Sequence, residues 1–70
     1  DEIIECAALL RNADAACRTD AARRLGSTRD DRAVQPLITA FEREELASVR
    51  HTITEGLITI GSEAAFFGIL

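Results

Sequence analysis

Lysine, methionine, tryptophan and tyrosine are missing from this 70-residue sequence. Its eight permanently basic residues are therefore all arginine. The twelve acidic residues outnumber them and give a formal net charge of −4. Binding to the phosphates of a nucleic acid requires a surplus of clustered basic side chains. The composition therefore argues against a nucleic-acid partner.

Long hydrophobic runs are missing as well. No apolar stretch approaches the roughly 18 residues that cross a membrane, and no charged-then-apolar leader opens the chain. We therefore expect a cytoplasmic protein without a membrane span. Because the sequence also has no initiator methionine, we expect it to be a piece of something longer.

Cysteine occurs only twice, and Cys6 and Cys17 are separated by 11 positions without a CxxC motif. The pair could form a disulfide, contribute half of a metal site, or consist of two small buried side chains. The internal repeat described below aligns Cys17 with Val49 at a spacing of 32 residues, and the first helix aligns Cys6 with Leu37 at a spacing of 31. This alignment with apolar positions favours burial.

Histidine occurs once, and His51 with Glu55 at i+4 could place two metal ligands on one face of a helix. A metal site needs three or four ligands that converge in space, and the sequence offers no further ligand beside this pair. The serines at predicted turns lack the strained turn that exposes a catalytic nucleophile. We therefore predict no catalytic residue, no metal and no cofactor.

The sequence repeats itself at a spacing of 32 residues. An apolar set that recurs at one spacing of roughly 20 to 50 residues is typical of stacked structural repeats. The matched pairs are Arg18 with Arg50, Cys17 with Val49, Leu25 with Leu57, Ala33 with Ala65, Val34 with Phe66, Leu37 with Ile69, and Ile38 with Leu70.

Apolar residues at helical i, i+3, i+4 spacing predict five helices, over about 2–11, 15–26, 32–43, 46–60 and from 63 onward. Gly26-Ser27-Thr28 and Gly61 are predicted to end the second and fourth helices. Pro36 must fall within the first turn of the third helix, because its missing N–H is tolerated there. The predicted buried stripes are Ile3, Cys6, Ala7 and Leu10; Cys17, Ala21 and Leu25; Val34, Leu37, Ile38 and Phe41; and Val49, Ile53, Leu57 and Ile60.

Short connections between these helices predict antiparallel neighbours, and the fold class is therefore all-α. We interpret residues 1–70 as a single domain. In this interpretation 1–12 is the second helix of one repeat, 13–44 is a full repeat, and 45–70 is a second, truncated repeat.

Two strings in register carry a resemblance to a known family. They resemble the HEAT-like repeat of phycobilisome bilin lyases, and the resemblance covers nearly the whole chain. It implies a right-handed α-solenoid of antiparallel helix pairs with about two and a half repeats. The first string is Cys17-Arg18-x-x-Ala21-Ala22-x-x-Leu25-Gly26 with Ala33-Val34-Gln35-Pro36-Leu37, and the second is Val49-Arg50-x-x-Ile53-Thr54-x-x-Leu57 with Gly61-Ser62-Glu63-Ala64-Ala65.

The resemblance also implies roles for individual positions. The second helices of the repeats, 2–11, 32–43 and 63–70, would line a concave face. Arg18 and Arg50 match the arginine of the family's first helix, which pairs with a turn residue six positions earlier. Asn12 and Glu44 occupy those turn positions, so we expect these four residues to make structural polar contacts between repeats.

From this resemblance we predict a non-catalytic protein–protein interaction scaffold that binds another protein on its concave face. The alternative is a phycobilin lyase subunit or a phycobilisome-associated adaptor, and the lyase would make the protein an enzyme. The predicted binding positions are Glu5, Ala8, Gln35 and Thr39, with Arg11 and Glu42 at the rim.

The two ends of the sequence are apolar on more than one side, unlike the polar caps of a free solenoid. The last positions include Phe66, Phe67 and Ile69, and the first helix carries Ile4 and Leu9 outside its buried stripe. We therefore expect self-association through these uncapped ends, which Phe67→Glu would weaken.

Overall fold

The computed structural model describes the backbone of residues 1–69 and the side chains of residues 1–61. It contains helices α1 (Glu2–Leu9), α2 (Ala15–Thr28), α3 (Val34–Arg43) and α4 (Ala47–Ile69). A single 3-10 turn at Asp31–Ala33 leads into α3. The described residues contain no strand, and the prediction of an all-α fold is confirmed.

Aspartate side chains begin the first three helical segments. Each carboxylate accepts a hydrogen bond from the backbone N–H two residues later, which satisfies one of the free donors at a helix start. Pro36 is the third residue of α3 and lies in its first turn, as predicted. The caps are Asp1 to the N–H of Ile3 at 2.9 Å, Asp14 to Ala16 at 3.0 Å, and Asp30 to Arg32 at 2.9 Å.

Arg32 joins two of these caps. Its guanidinium donates to Oδ2 of Asp1 at 3.0 Å and to Oδ2 of Asp30 at 3.0 Å. The pair with Asp30 holds the pKa of that carboxyl below its ordinary value, chiefly through the side-chain hydrogen bond. The start of α1 is thereby tied to the 3-10 turn that precedes α3.

One apolar core joins the four helices. The predicted stripes supply most of it, and Ile3, Leu37, Val49 and Ile53 lie where the helical spacing placed them. Ile38 was predicted to be buried, but its side chain is 37% exposed. The buried side chains are Ile3, Cys6, Leu10, Ala21, Ala22, Leu25, Ala33, Leu37, Val49, Ile53 and Ile60.

The predicted helix end at Gly61 is wrong, and α2 ends at Thr28, the last residue of the predicted string, without Gly26 acting as its cap. Helix α2 continues to Thr28, and Arg29 ends it in the left-handed conformation with φ 54°. Helix α4 continues through Gly61 to Ile69, so the separate fifth helix predicted from 63 onward does not exist. Glycine ends helices because it tolerates positive φ, and no glycine of the described residues adopts one.

This correction shortens the predicted row of second helices. Residues 63–69 belong to α4, so α1 and α3 are the two members of that row in the described part of the chain. The solenoid arrangement and the division into repeats therefore stay predictions. The side chains of Phe66, Phe67 and Ile69, on which the predicted self-association depends, lie outside the described residues.

Helices α2 and α4 approach each other most closely at two glycines, Gly26 and Gly56, both of which are buried. A Cβ atom added at Gly26 would lie 2.6 Å from the Cα of Gly56. A Cβ atom added at Gly56 would lie 3.3 Å from the carbonyl oxygen of Ala22. Gly26 is therefore a contact residue inside α2, where any side chain would force the helices apart.

Replacing each of two helical glycines by alanine should give opposite results. Gly26→Ala should destabilise the protein by about 1–3 kcal/mol, because the added methyl group collides with the backbone of α4. Gly61→Ala should stabilise it by about 0.5–1 kcal/mol, because alanine favours the helix and, apart from the adjoining backbone, no atom of the described residues lies within 4 Å of the new Cβ.

Chemical denaturation followed by circular dichroism measures both changes. A destabilised Gly61→Ala variant would show that Gly61 ends the helix after all. An unaffected Gly26→Ala variant would contradict the close contact of α2 with α4.

Candidate functional site

An open groove of about 430 Å³ runs between α1 and α3. These are the two helices that the repeat register assigns to the concave face. Two of the predicted binding residues, Gln35 and Thr39, line it. The complete lining is Ala7, Leu10, Arg11, Gln35, Pro36, Thr39, Ala40, Arg43 and Glu44.

The floor of the groove is apolar and its wall on α3 is polar. Leu10 belongs to the core, and Ala7, Pro36 and Ala40 are half-buried beside it. Gln35 and Thr39 are exposed. The hydroxyl groups of Thr52, Thr54 and Thr59 all donate to carbonyls of their own helix, whereas neither Gln35 nor Thr39 has a side-chain hydrogen bond with a described residue. Their polar groups can therefore bind a molecule that enters the groove.

Arg18 holds one end of the groove in place. Its Nε donates to Oε1 of Glu44 at 2.7 Å and its Nη2 to Oε2 at 3.3 Å. Its Nη1 donates to the carbonyl oxygens of Asn12 at 2.9 Å and Ala13 at 3.0 Å. One guanidinium thus joins the turn between α1 and α2 to the turn between α3 and α4.

The Glu44 carboxylate is fully engaged in this network. Oε2 also accepts a hydrogen bond from the backbone N–H of Leu46 at 3.1 Å. Arg18 is the main reason why the pKa of Glu44 is lowered, and the backbone donors contribute in the same direction. The side chain is 6% exposed, so its charge is held at the groove end while it is largely shielded from water.

The other predicted contact residues differ from one another. Arg50 was expected to meet a turn residue, but its guanidinium lies over the ring of Phe41, 4.5 Å from the centroid. Asn12 contributes its carbonyl to Arg18, and its side chain accepts from the N–H of Asp14 at 2.8 Å. The assignment of all four residues as inter-repeat contacts stays a prediction.

The remaining predicted binding residues lie outside the groove. Glu5 and Ala8 are exposed on α1 but do not line it, because the side of α1 that meets α3 carries Ala7, Leu10 and Arg11. Glu42 is exposed at the end of α3 and also does not line it. The structure therefore brings Gln35, Thr39 and Arg11 together and leaves Glu5, Ala8 and Glu42 apart.

Arg43 is a groove residue that sequence reasoning missed. It is the one basic residue of the string Glu42-Arg43-Glu44-Glu45. The usable signal was the repeat itself, because Arg11 and Arg43 are 32 residues apart, like Arg18 and Arg50. Each of the two arginines directly precedes one of the predicted turn residues, Asn12 or Glu44.

The histidine and the two cysteines, which the sequence suggested as possible metal ligands, lie outside the groove. His51 contacts Glu55 at 3.0 Å on an exposed part of α4. Both cysteines are free thiols, and burial is the main reason why the pKa of the Cys6 thiol is raised. Over residues 1–61, no three side chains of the His, Cys, Asp or Glu type come together as a metal-binding group. No helix within the described residues has both the length and the apolar character needed to span a bilayer.

These features define an all-α protein with a groove between α1 and α3. Residues 18–43 match the family model described as PBS lyase HEAT-like repeat. Over this segment the chain is similar to a HEAT-like repeat of that family. The matched segment runs from Arg18 through α3 and so contains the α3 wall of the groove. No curated protein and no solved structure matches the chain.

The Arg18–Glu44 pair predicts how stability changes with pH. Because the pKa of Glu44 is lowered in the folded state, the unfolded chain binds the additional proton more readily as the pH falls. The stabilisation is therefore fully present above the ordinary pKa of 4.5 and is lost on acidification through the folded-state value. Glu44→Gln should be less stable than the parent at pH 7 and should lose less stability below pH 4.5.

Denaturant unfolding at a series of pH values measures this difference. Glu45→Gln is the matched control, because it removes the same charge from the neighbouring exposed residue. Identical acid profiles for Glu44→Gln and the parent would contradict a role for the pair in stability.

Proposed function

We propose that this protein is a non-catalytic interaction scaffold that binds a segment of another protein in the groove between α1 and α3. The groove itself carries the proposal. It combines an apolar floor with exposed polar side chains that have no hydrogen-bond partner among the described residues, a combination that supports binding from outside. The HEAT-like repeat supports the same function, because stacked helix pairs offer extended concave surfaces.

The size of the groove indicates the kind of ligand. A volume of about 430 Å³ lies toward the lower end of the range for pockets that enclose a ligand. A standard interface between folded proteins buries about 800 Å² on each partner, which requires a much broader contact. The groove is therefore suited to a short peptide segment of the partner.

The family description also supports a second candidate, a lyase-related role on phycobilins or an adaptor role at the phycobilisome. Incubation with a phycobilin and a phycobiliprotein apo-subunit tests the lyase activity. A new visible absorption band that depends on this protein would support the lyase, and an unchanged spectrum would contradict it.

Blocking the groove should abolish peptide binding. Peptides selected from a random display library on the immobilised protein provide the ligand. Thr39→Phe places a ring in the groove, and we expect it to weaken binding at least tenfold (about 1.4 kcal/mol). The free energy of unfolding should stay within about 0.5 kcal/mol of the parent, because Thr39 is an exposed helical position.

Thr59→Phe is the matched control. Thr59 is also exposed, but it lines a separate groove between α2 and α4. Fluorescence anisotropy with a labelled peptide measures both affinities. Undiminished binding to Thr39→Phe, or an equal loss in both variants, would contradict binding between α1 and α3.

A further inference from the structure

We propose that the groove selects an acidic partner segment, in which Asp or Glu carboxylates bind to Arg11 and Arg43 while an apolar side chain occupies the floor. This inference rests on the proposed function, because it names the chemistry of the ligand for the same groove. It adds a role for two arginines to which neither the fold nor the core assigns one.

The two arginines occupy equivalent positions. Arg11 follows the end of α1, Arg43 is the last residue of α3, and the repeat spacing of 32 residues relates them. Both are exposed and both line the groove. Within the described part of the chain, neither has an ion-pair or hydrogen-bond partner for its guanidinium. The groove therefore presents one available cation from each of its two helices.

Most of the other arginines in the described residues are already engaged. Arg18 pairs with Glu44, Arg24 with Asp20 at 3.0 Å, and Arg32 with both Asp1 and Asp30. The carboxylate of Glu44, which also lines the groove, is compensated by Arg18 from outside it. The lining is consequently positive at this end, although the whole chain carries a formal charge of −4.

A carboxylate matches this end of the groove in geometry as well as in charge. The planar guanidinium donates two parallel hydrogen bonds to a carboxylate, which gives such pairs directional specificity. Gln35 and Thr39 can hydrogen-bond to the main chain of the segment. The floor formed by Ala7, Pro36 and Ala40 accepts a small apolar side chain. The expected ligand is therefore an apolar residue next to one or two acidic residues.

Each arginine lies near the C-terminus of a helix, where a cation also stabilises the helix by offsetting its partial negative charge. That effect changes the stability of the protein but not the sequence of the peptides it selects. The experiment therefore measures both the stability of each variant and the sequence and affinity of the peptides. It uses the full 70-residue chain and the peptides selected from the random library at 50 mM NaCl.

Selected peptides should be enriched in Asp and Glu. Arg11→Gln and Arg43→Gln should each weaken their binding by up to about fivefold, the upper limit expected for exposed ion pairs. Raising NaCl to 500 mM should weaken binding to the parent and have less effect on the double variant. Arg23→Gln is the matched control, because Arg23 is exposed and lines the other groove, between α2 and α4.

The outcomes separate this inference from the proposed function. If Thr39→Phe abolishes binding but the selected peptides are not acidic, or if Arg11→Gln and Arg43→Gln bind like Arg23→Gln, the groove is a binding site and the acidic preference is wrong. If no peptide is recovered, or if Thr39→Phe has no effect, both proposals are wrong. If Arg11→Gln, Arg43→Gln and Arg23→Gln all lower the thermal midpoint to the same extent and all lower the affinity to the same extent, the acidic preference is also wrong.

Discussion

The close approach of α2 to α4 is the constraint on which the rest of the arrangement depends. Two buried glycines meet where a single added methyl group would lie within 2.6 Å of backbone. Because the helices touch there, Leu25, Val49 and Ile53 are covered by neighbouring side chains instead of water. The same approach limits how far α3, which packs on α4, can move from α1, which packs on α2. The width of the groove thus depends on two residues that do not line it.

Ion pairs fix the relative positions of the turns and the helix starts, which the contact between the glycines does not determine. Arg18 joins the turns at one end of the α1–α3 pair, and Arg32 joins the helix starts at the other. Arg32 pairs at the exposed surface, where ion pairs contribute modestly to stability, whereas the Arg18–Glu44 pair is largely shielded from water. Their effect is positional, because each guanidinium connects segments that are about 26 to 31 residues apart in sequence.

Much of the fold could be predicted because helical periodicity is a local signal. Ile3, Leu37 and Val49 follow from spacing alone, and the position of Pro36 in a first turn follows from its missing N–H. The positions of Gly26 and Gly61 inside helices were not predictable in this way. A glycine that ends a helix and a glycine that admits a neighbouring helix look the same in sequence, and only the tertiary contact distinguishes them. Helix α4 continues past Gly61, where a local rule predicted a stop.

The candidate site was predictable in part, for a related reason. The register selected Gln35 and Thr39, which line the groove, and it also selected Glu5 and Ala8, which do not. Which side of α1 meets α3 depends on how the helices are rotated about their axes, and a one-helix pattern does not determine this rotation. Arg43 was hidden among acidic neighbours, although its relation to Arg11 was present in the repeat spacing.

The two ion-pair contacts also make the α1–α3 surface asymmetric along its length. At the helix starts, the side chains that meet are the carboxylates of Asp1 and Asp30 around one guanidinium. At the helix ends, Arg11 and Arg43 stand without partners among the described residues while Glu44 is engaged. The charged residues that line the groove, Arg11, Arg43 and Glu44, therefore all lie at the end next to the turns. In the proposed complex, this asymmetry would distinguish the two directions in which an acidic peptide can lie, so that a segment and its reversed sequence would not be equivalent ligands.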